Sequence, residues 1–196
     1  MSSIRPNVIM LAGPNGAGKT TSSRSLLAEQ LKVMTFVNAD IIAQGLAGFD
    51  PESAAWEASR IMLERLDDLA EKRQDFAFET TLAARSYAQR IEKWRSDGYC
   101  FQLYYFWLPS AELAIERVAL RVSRGGHHVP DDTVRRRYRQ SLRNLFNLFT
   151  PLADAWQVFD NERRNSPRLM AYGCGNLVES IVWPETWEQM KQRSEE

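Results

Sequence analysis

Cysteine and histidine are scarce in this chain, with two of each among 196 residues. Cys100 and Cys174 build no disulfide framework, and two isolated cysteines read as reduced thiols. No Cys/His grouping has metal-ligand spacing, which excludes a site of that kind. Long apolar runs are missing too. None approaches the length of a membrane span, and Met1-Ser2-Ser3-Ile4-Arg5 leads into a strand with no signal-peptide core. A cytoplasmic protein without membrane contact is therefore expected. Net charge is absent, because 25 Lys and Arg balance 25 Asp and Glu. That argues against bulk nucleic-acid binding and leaves only local patches. The chain has no internal repeat, low-complexity segment or long linker. At 44% apolar it can bury a sizeable core, and one domain over residues 1–196 is expected.

The most informative stretch is Gly13-Pro14-Asn15-Gly16-Ala17-Gly18-Lys19-Thr20-Thr21. Gly13, Gly18, Lys19 and Thr20 fit the P-loop pattern, in which four residues separate a first glycine from Gly-Lys-Ser/Thr. The apolar run Val8–Leu11 before it reads as a buried strand, and 23–31 after it as a helix. Glycines let backbone N–H groups wrap an anion, and the following helix points its positive end at the same place. In that arrangement Lys19 reaches the terminal phosphates of ATP and the Thr20 hydroxyl binds Mg²⁺. Thr21 is a nucleotide contact or simply helix surface.

Along the chain, apolar runs at 33–37, 75–78, 99–108, 155–160 and 168–172 read as strands. Helices are expected over about 50–73, 83–97, 110–124, 131–149 and 184–192. Asp50-Pro51 and Ser110 mark helix starts, and Gly98 a stop. Strands alternating with helices give an α/β fold: a parallel central sheet with helices on both faces. Ligands in such sheets sit at the carboxyl ends of strands, where Asp40 and Glu79 fall. Asp40 could take a proton from an acceptor hydroxyl or hold Mg²⁺ through water; it could also cap the helix that begins at Ile41. Glu79 could orient an acceptor or metal, or make a structural salt bridge. Thr80 and Thr81 could bond substrate or cap the next helix.

At about 100° per residue, Arg117, Arg121 and Arg124 fall within roughly 60° of one another, opposite Ile115, Val118 and Val122. In the next helix Val134, Tyr138, Leu142, Leu145 and Phe149 define the apolar face. Arg136 and Arg143 lie opposite it, and Arg135 and Arg137 flank it. Two arginine-bearing helices joined by Gly125-Gly126 would make a lid at about 110–149, stabilising transferring phosphate. A solvated charged face or an RNA patch are the alternatives. His127 and His128 read as loop hydrogen-bonders before catalysts. Trp94 and the Tyr104–Trp107 run read as packing.

Four ordered blocks resemble a known family. Gly-Pro-Asn-Gly-Ala-Gly-Lys-Thr-Thr from 13, Val-Asn-Ala-Asp from 37, Phe-Glu-Thr-Thr-Leu from 78, and Arg124 through Pro130 with Arg136-Arg137-Tyr138 are similar to the zeta-toxin-like P-loop kinases. The similarity covers about residues 5–172. It implies a P-loop kinase fold with a helical lid and, in characterised toxins, ATP- and Mg²⁺-dependent phosphorylation of a sugar hydroxyl of UDP-N-acetylglucosamine. It also implies an antitoxin protein as partner where the enzyme is a toxin. Carried over by motif, residues 13–21 hold the nucleotide, and Lys19 and Thr20 meet phosphate and metal. Asp40 resembles the catalytic base, Glu79 and Thr81 resemble substrate contacts, and Arg124 and Arg137 resemble the lid arginines. The chain is short for the family, and its Gly-Gly-His loop is typical of a compact branch whose acceptor the resemblance leaves open. A motor-type ATPase is disfavoured, since the strand at 99–108 ends in Pro109-Ser110 rather than Asp-Glu and no Ser-Gly-Gly-Gln sequence occurs. A nucleotide-sensing or RNA-binding module remains the alternative.

Overall fold

In the computed structural model, residues 5–126, 128–163 and 166–195 are described, and their apolar runs pair into one seven-stranded sheet. The strands are β1 (Asn7–Ala12), β2 (Phe36–Val37), β3 (Phe76–Thr80), β4 (Cys100–Trp107), β5 (Ala155–Asp160), β6 (Arg168–Cys174) and β7 (Leu177–Ile181). Their spatial order is β2-β3-β1-β4-β5-β6-β7. The first five are mutually parallel, as expected of near-continuous apolar runs buried on both faces. β1 lies between β3 and β4, so the P-loop emerges beside the ends of β3 and β4.

The helices are α1 (Lys19–Ser23), α2 (Ala39–Leu46), α3 (Ala55–Glu71), α4 (Ser86–Ser96), α5 (Ala111–Val122), α6 (Asp131–Asn144), α7 (Thr150–Leu152) and α8 (Pro184–Glu195). Ser110 caps α5 as expected, its side chain accepting from the Leu113 amide at 3.1 Å. Gly98 follows α4 at φ +92°. α4 packs by Trp94, which is buried and stands edge-on to Phe76 with ring centroids 5.3 Å apart. Trp94→Ala should therefore cost about 3–5 kcal/mol in urea unfolding. A loss under about 1 kcal/mol would show that this side of the core collapses around the gap. At the other end, Trp156 stacks on Trp187 and so docks α8 on the sheet.

Several expectations change in the folded chain. β2 is two residues long rather than 33–37, because the Val33 amide is tied to the Leu27 carbonyl at the end of the preceding helix. That helix is α-helical only to Ser23 and continues as a π-helix over Arg24–Leu31. Asp50-Pro51 opens a turn, closed by Ser53 and Ala54 amides onto the carbonyls of residues 50 and 51, and α3 starts later at Ala55. α6 begins after Pro130 with both acidic residues, Asp131 and Asp132, in its first turn rather than as its cap, and gives way to a π-helical Leu145–Phe149. β6 and β7 run antiparallel at one edge, so the sheet is not wholly parallel. β7 was not expected: its side chains are mostly exposed, so no one-sided apolar pattern marks it. The two-residue Gly175-Asn176 connection was its available signal.

α5 and α6, the two helices over which a lid is expected, pack against each other at the carboxyl end of β4. α6 is anchored there. Val134, Tyr138 and Leu142 are buried, the Tyr138 hydroxyl donates to the Leu108 carbonyl at 2.8 Å, and Ser141 and Tyr105 share a buried 2.8 Å hydrogen bond. His127 lies outside the described residues; His128 is exposed. No helix among the described residues is long and apolar enough to cross a membrane.

Candidate active site

A cleft of about 470 Å³ opens over the carboxyl ends of β1, β2 and β3. It takes lining residues from the loop after β1 (Asn15, Gly16, Gly18), from α1 (Lys19 to Thr21), from the β2–α2 corner (Asn38 to Asp40) and from Glu79 to Thr81. Arg117 and Arg121 from α5, Arg137 from α6, and Asn161 after β5 close it. The far wall is less polar, with Ala43, Pro51, Met62, Ala84 and Tyr87.

Residues after β1 form the cradle that the sequence anticipates. Gly16 and Gly18 take φ values of +75° and +80°. Close approach also requires them: a Cβ on Gly16 would stand 2.9 Å from the Ala114 carbonyl of α5, and one on Gly18 would stand 2.7 Å from the Asn161 side-chain nitrogen. Gly13, Pro14 and Ala17 back this cradle rather than lining the cavity. Lys19 Nζ donates to the Gly13 and Pro14 carbonyls at 2.9 and 3.0 Å, and Asn161 Nδ2 donates to Ala17 O at 2.6 Å. Arg117 holds the Asn161 backbone in place, donating to the carbonyls of Asn161 and Glu162.

Lys19 is only 6% exposed. Burial lowers the pKa of its ammonium below the ordinary value, and Glu79, then Asp40, oppose that shift. Glu79 lies at the centre of the polar network. Its Oε2 accepts from Thr20 Oγ1 at 2.7 Å and Asn38 Nδ2 at 2.8 Å, and its Oε1 is 3.7 Å from Lys19 Nζ. Glu79 is thus both an ion-pair partner and a cleft residue. Asn38 works in two directions. Its amide nitrogen holds Glu79, while its Oδ1 accepts from the backbone N–H groups of Asp40 and Ile41 and caps α2. Asp40 is consequently free of the capping role and faces the cleft from the first turn of α2. Thr80 and Thr81 both line the cleft, and the Thr80 hydroxyl also accepts from the Leu82 amide at 3.1 Å.

Two buried oxygens at this site, Asn15 Oδ1 and Asn161 Oδ1, have no hydrogen-bond partner. Buried acceptors without partners are costly, and both residues line the cleft. No group of three or more His, Cys, Asp or Glu among the described residues could by itself hold a metal. Thr20 with one or two carboxylates still suits Mg²⁺, which keeps waters and shares phosphate oxygens rather than occupying an all-protein cage.

The arginine stripe is only partly as expected. Arg117, Arg121 and Arg137 reach the cleft, and Arg135 instead pairs with Glu112 at 3.5 Å. Arg124 is exposed and does not line the cleft. α5 ends at Val122, and the amides of residues 124 to 126 fold back onto the carbonyls of Arg121 and Val122, carrying Arg124 off the helical stripe. Arg137 has its pKa lowered first by burial and then by Arg136, with Asp40 opposing. Asn161 and Asn38 escaped notice in the sequence. Asn38 stood in the quoted Val-Asn-Ala-Asp block, where a helix cap was readable; Asn161 had no local signal at all.

Known proteins bear on this geometry. An uncharacterized protein of Haemophilus influenzae is 28% identical over 130 residues, covering 66% of this chain and 91% of that protein. Among solved structures, the AvrRxo1-ORF1:AvrRxo1-ORF2 complex with sulphate ions matches with a TM-score of 0.77 at 15% identity. That match covers 96% of this chain and 64% of the other, so this chain spans under two thirds of its length. The same complex with ATP matches at 0.74 and 16% identity, over 96% of this chain and 64% of that one. A chain of the PezAT chromosomal toxin-antitoxin system of Streptococcus pneumoniae matches at 0.61 and 18% identity, over 98% of this chain and 87% of that one. The fold shared with them is the expected α/β fold with a mostly parallel central sheet. Residues 8–145, from the buried strand before the cradle to the end of α6, match the AAA domain family, and this chain belongs to it.

Proposed function

We propose that this protein is an ATP-dependent kinase that phosphorylates a hydroxyl group of a small molecule. The observation that carries this reading is the joining of two half-sites in one cleft. Lys19 and Thr20 of the P-loop meet Glu79 directly, Asp40 and Thr81 line the same cleft, and Arg121 and Arg137 reach into it. A site for hydrolysis or sensing alone has no need of a less polar wall in the same cleft. The uridine diphosphate N-acetylsugars are the acceptor class that the zeta-toxin resemblance implies, and an antitoxin protein is the partner that goes with it.

In this scheme the backbone around Asn15, Gly16 and Gly18, at the positive end of α1, receives the phosphates. Lys19 leaves the Gly13 and Pro14 carbonyls for the terminal phosphates. Mg²⁺, held through Thr20 with Asp40 or Glu79, would supply neutralisation of the phosphate charge. Asp40 accepts the proton of the acceptor hydroxyl. Glu79 and Thr81 orient that hydroxyl, held in turn by Asn38 and the following loop. Arg137 and Arg121 meet charge that builds on the transferred group, in a cleft from which water is largely displaced. This scheme assigns Lys19, Thr20, Asp40 and Arg137 the roles that the resemblance implies. Arg121 takes the role expected of Arg124, since it is Arg121 that faces the cleft.

The test is phosphate transfer from ATP and Mg²⁺ to a panel of nucleotide sugars, nucleosides, simple sugars and short RNAs, read by mass spectrometry. A monophosphorylated UDP-N-acetylsugar is the expected product. ATP binding with no small molecule modified would overturn the kinase reading, and a phosphorylated RNA end would replace its acceptor.

A further inference from the structure

The loop that follows β3 is bent in an unusual way. Leu82 takes φ +61°, a left-handed conformation that costs a side-chain-bearing residue free energy. Its side chain is fully buried, its amide bonds the Thr80 hydroxyl, and the residues flanking this turn, Thr81 and Ala84, line the cleft. Such a backbone persists only where its surroundings over-determine it. One surrounding group comes from a distant element. Asn144, the last residue of α6, donates its side-chain N–H₂ to both carbonyls of the bend, Leu82 O at 2.8 Å and Ala83 O at 3.1 Å.

Arg137 stands seven residues earlier on the same helix. Seven residues return to within about 20° of the same face, about 10 Å along the axis. Arg137 and Asn144 therefore share one stripe of α6, with the first in the cleft and the second on the loop that walls it. The helix itself cannot drift independently, because Tyr138 and Ser141 bond it to β4 and its extension.

We propose that Asn144 is a positioning residue, which clamps the Leu82–Ala83 bend to α6 and so sets the separation between Thr81 on the acceptor wall and Arg137 over the transferred group. This rests on the kinase reading for its functional consequence, though the clamp itself does not. An amide is suited to the task, since one N–H₂ group offers two donors to two adjacent carbonyls. Leucine has similar size and no donor, and alanine removes the arm altogether.

The experiment compares wild type, Asn144→Leu, Asn144→Ala and Tyr105→Phe. The last removes a different buried hydrogen bond of α6 without touching the loop. Hydrogen exchange over residues 80–85 should rise about tenfold in both Asn144 variants, with β1 and β4 unchanged, and should stay at the wild-type level in Tyr105→Phe. With the acceptor found by the panel, the KM for acceptor or the kcat should worsen by about tenfold or more, while nucleotide affinity stays within about twofold. In an Arg137→Ala background that loss should shrink, because the two residues act through one separation. Unchanged exchange at 80–85 overturns the clamp. Raised exchange with unchanged kinetics, or strictly additive losses with Arg137→Ala, overturns the positioning role. If wild type transfers phosphate to nothing, the kinase reading fails by itself, and the exchange measurement still decides the clamp.

Discussion

Asp40→Asn should reduce phosphoryl transfer by about 10²–10⁴-fold, the range of a lost general base, and leave nucleotide binding within about twofold. The structure makes this substitution unusually clean. An aspartate at the start of a helix is commonly its cap, and its removal then damages fold and chemistry together. Here Asn38 does the capping, with its Oδ1 on the Asp40 and Ile41 amides, so α2 keeps its start when the carboxylate is replaced. The amide that replaces it is the same size and cannot take the acceptor proton. Steady-state transfer alongside calorimetric titration with a non-hydrolysable ATP analogue separates the two quantities. Turnover within about threefold of wild type would remove Asp40 from the chemistry and with it the base in the proposed scheme.

Lys19→Met should abolish transfer to at least about 10²-fold below wild type, since a buried charge aimed at phosphate is lost. The same substitution makes an independent prediction in the ligand-free protein. Burial holds the Lys19 ammonium below its ordinary pKa of 10.5, the value it regains on unfolding. Between those two values the unfolded chain binds more protons than the folded one, so stability rises with pH. The penalty is fully present below the folded-state value and is gone above 10.5. Wild type should therefore gain on Lys19→Met as pH climbs toward 10.5 in urea unfolding series run on both proteins. A difference that stays flat over that window would show that Lys19 is not held in the buried, desolvated position described.

The two experiments address different halves of one network. Lys19 already has carbonyl partners at Gly13 and Pro14, and Thr20 already has Glu79. Nucleotide has to exchange these contacts for its own, which places the ligand-free site in a self-satisfied state. The unpartnered oxygens of Asn15 and Asn161 mark where that satisfaction is incomplete.

Much of this was legible along the chain. The parallel strands, the cradle from Gly13 to Thr21, and the approach of Asp40 and Glu79 to it follow from local patterns: apolar runs, glycines at fixed spacing, and acidic residues at strand ends. Helical periodicity likewise put Arg117 and Arg121 on one stripe and left Arg137 able to reach inward. Periodicity failed at Arg124, because a wheel assumes that the helix continues and α5 stops at Val122. It also carried no sign of β7, whose side chains face no single apolar environment.

The sequence by itself determined the fold class, the glycine-rich loop after β1 and the strand ends that carry Asp40 and Glu79, because each depends on a pattern local in the chain. Only the tertiary structure decided that Glu79 gathers Thr20, Asn38 and Lys19. It alone brought Asn161 to Ala17 and Asn144 to Leu82. The physical reason is the same in each case. A polar side chain recognises its partner only at hydrogen-bond distance, and residues 144, 62, 59 or 41 positions apart come within that distance only after the sheet has closed and the helices have packed onto it.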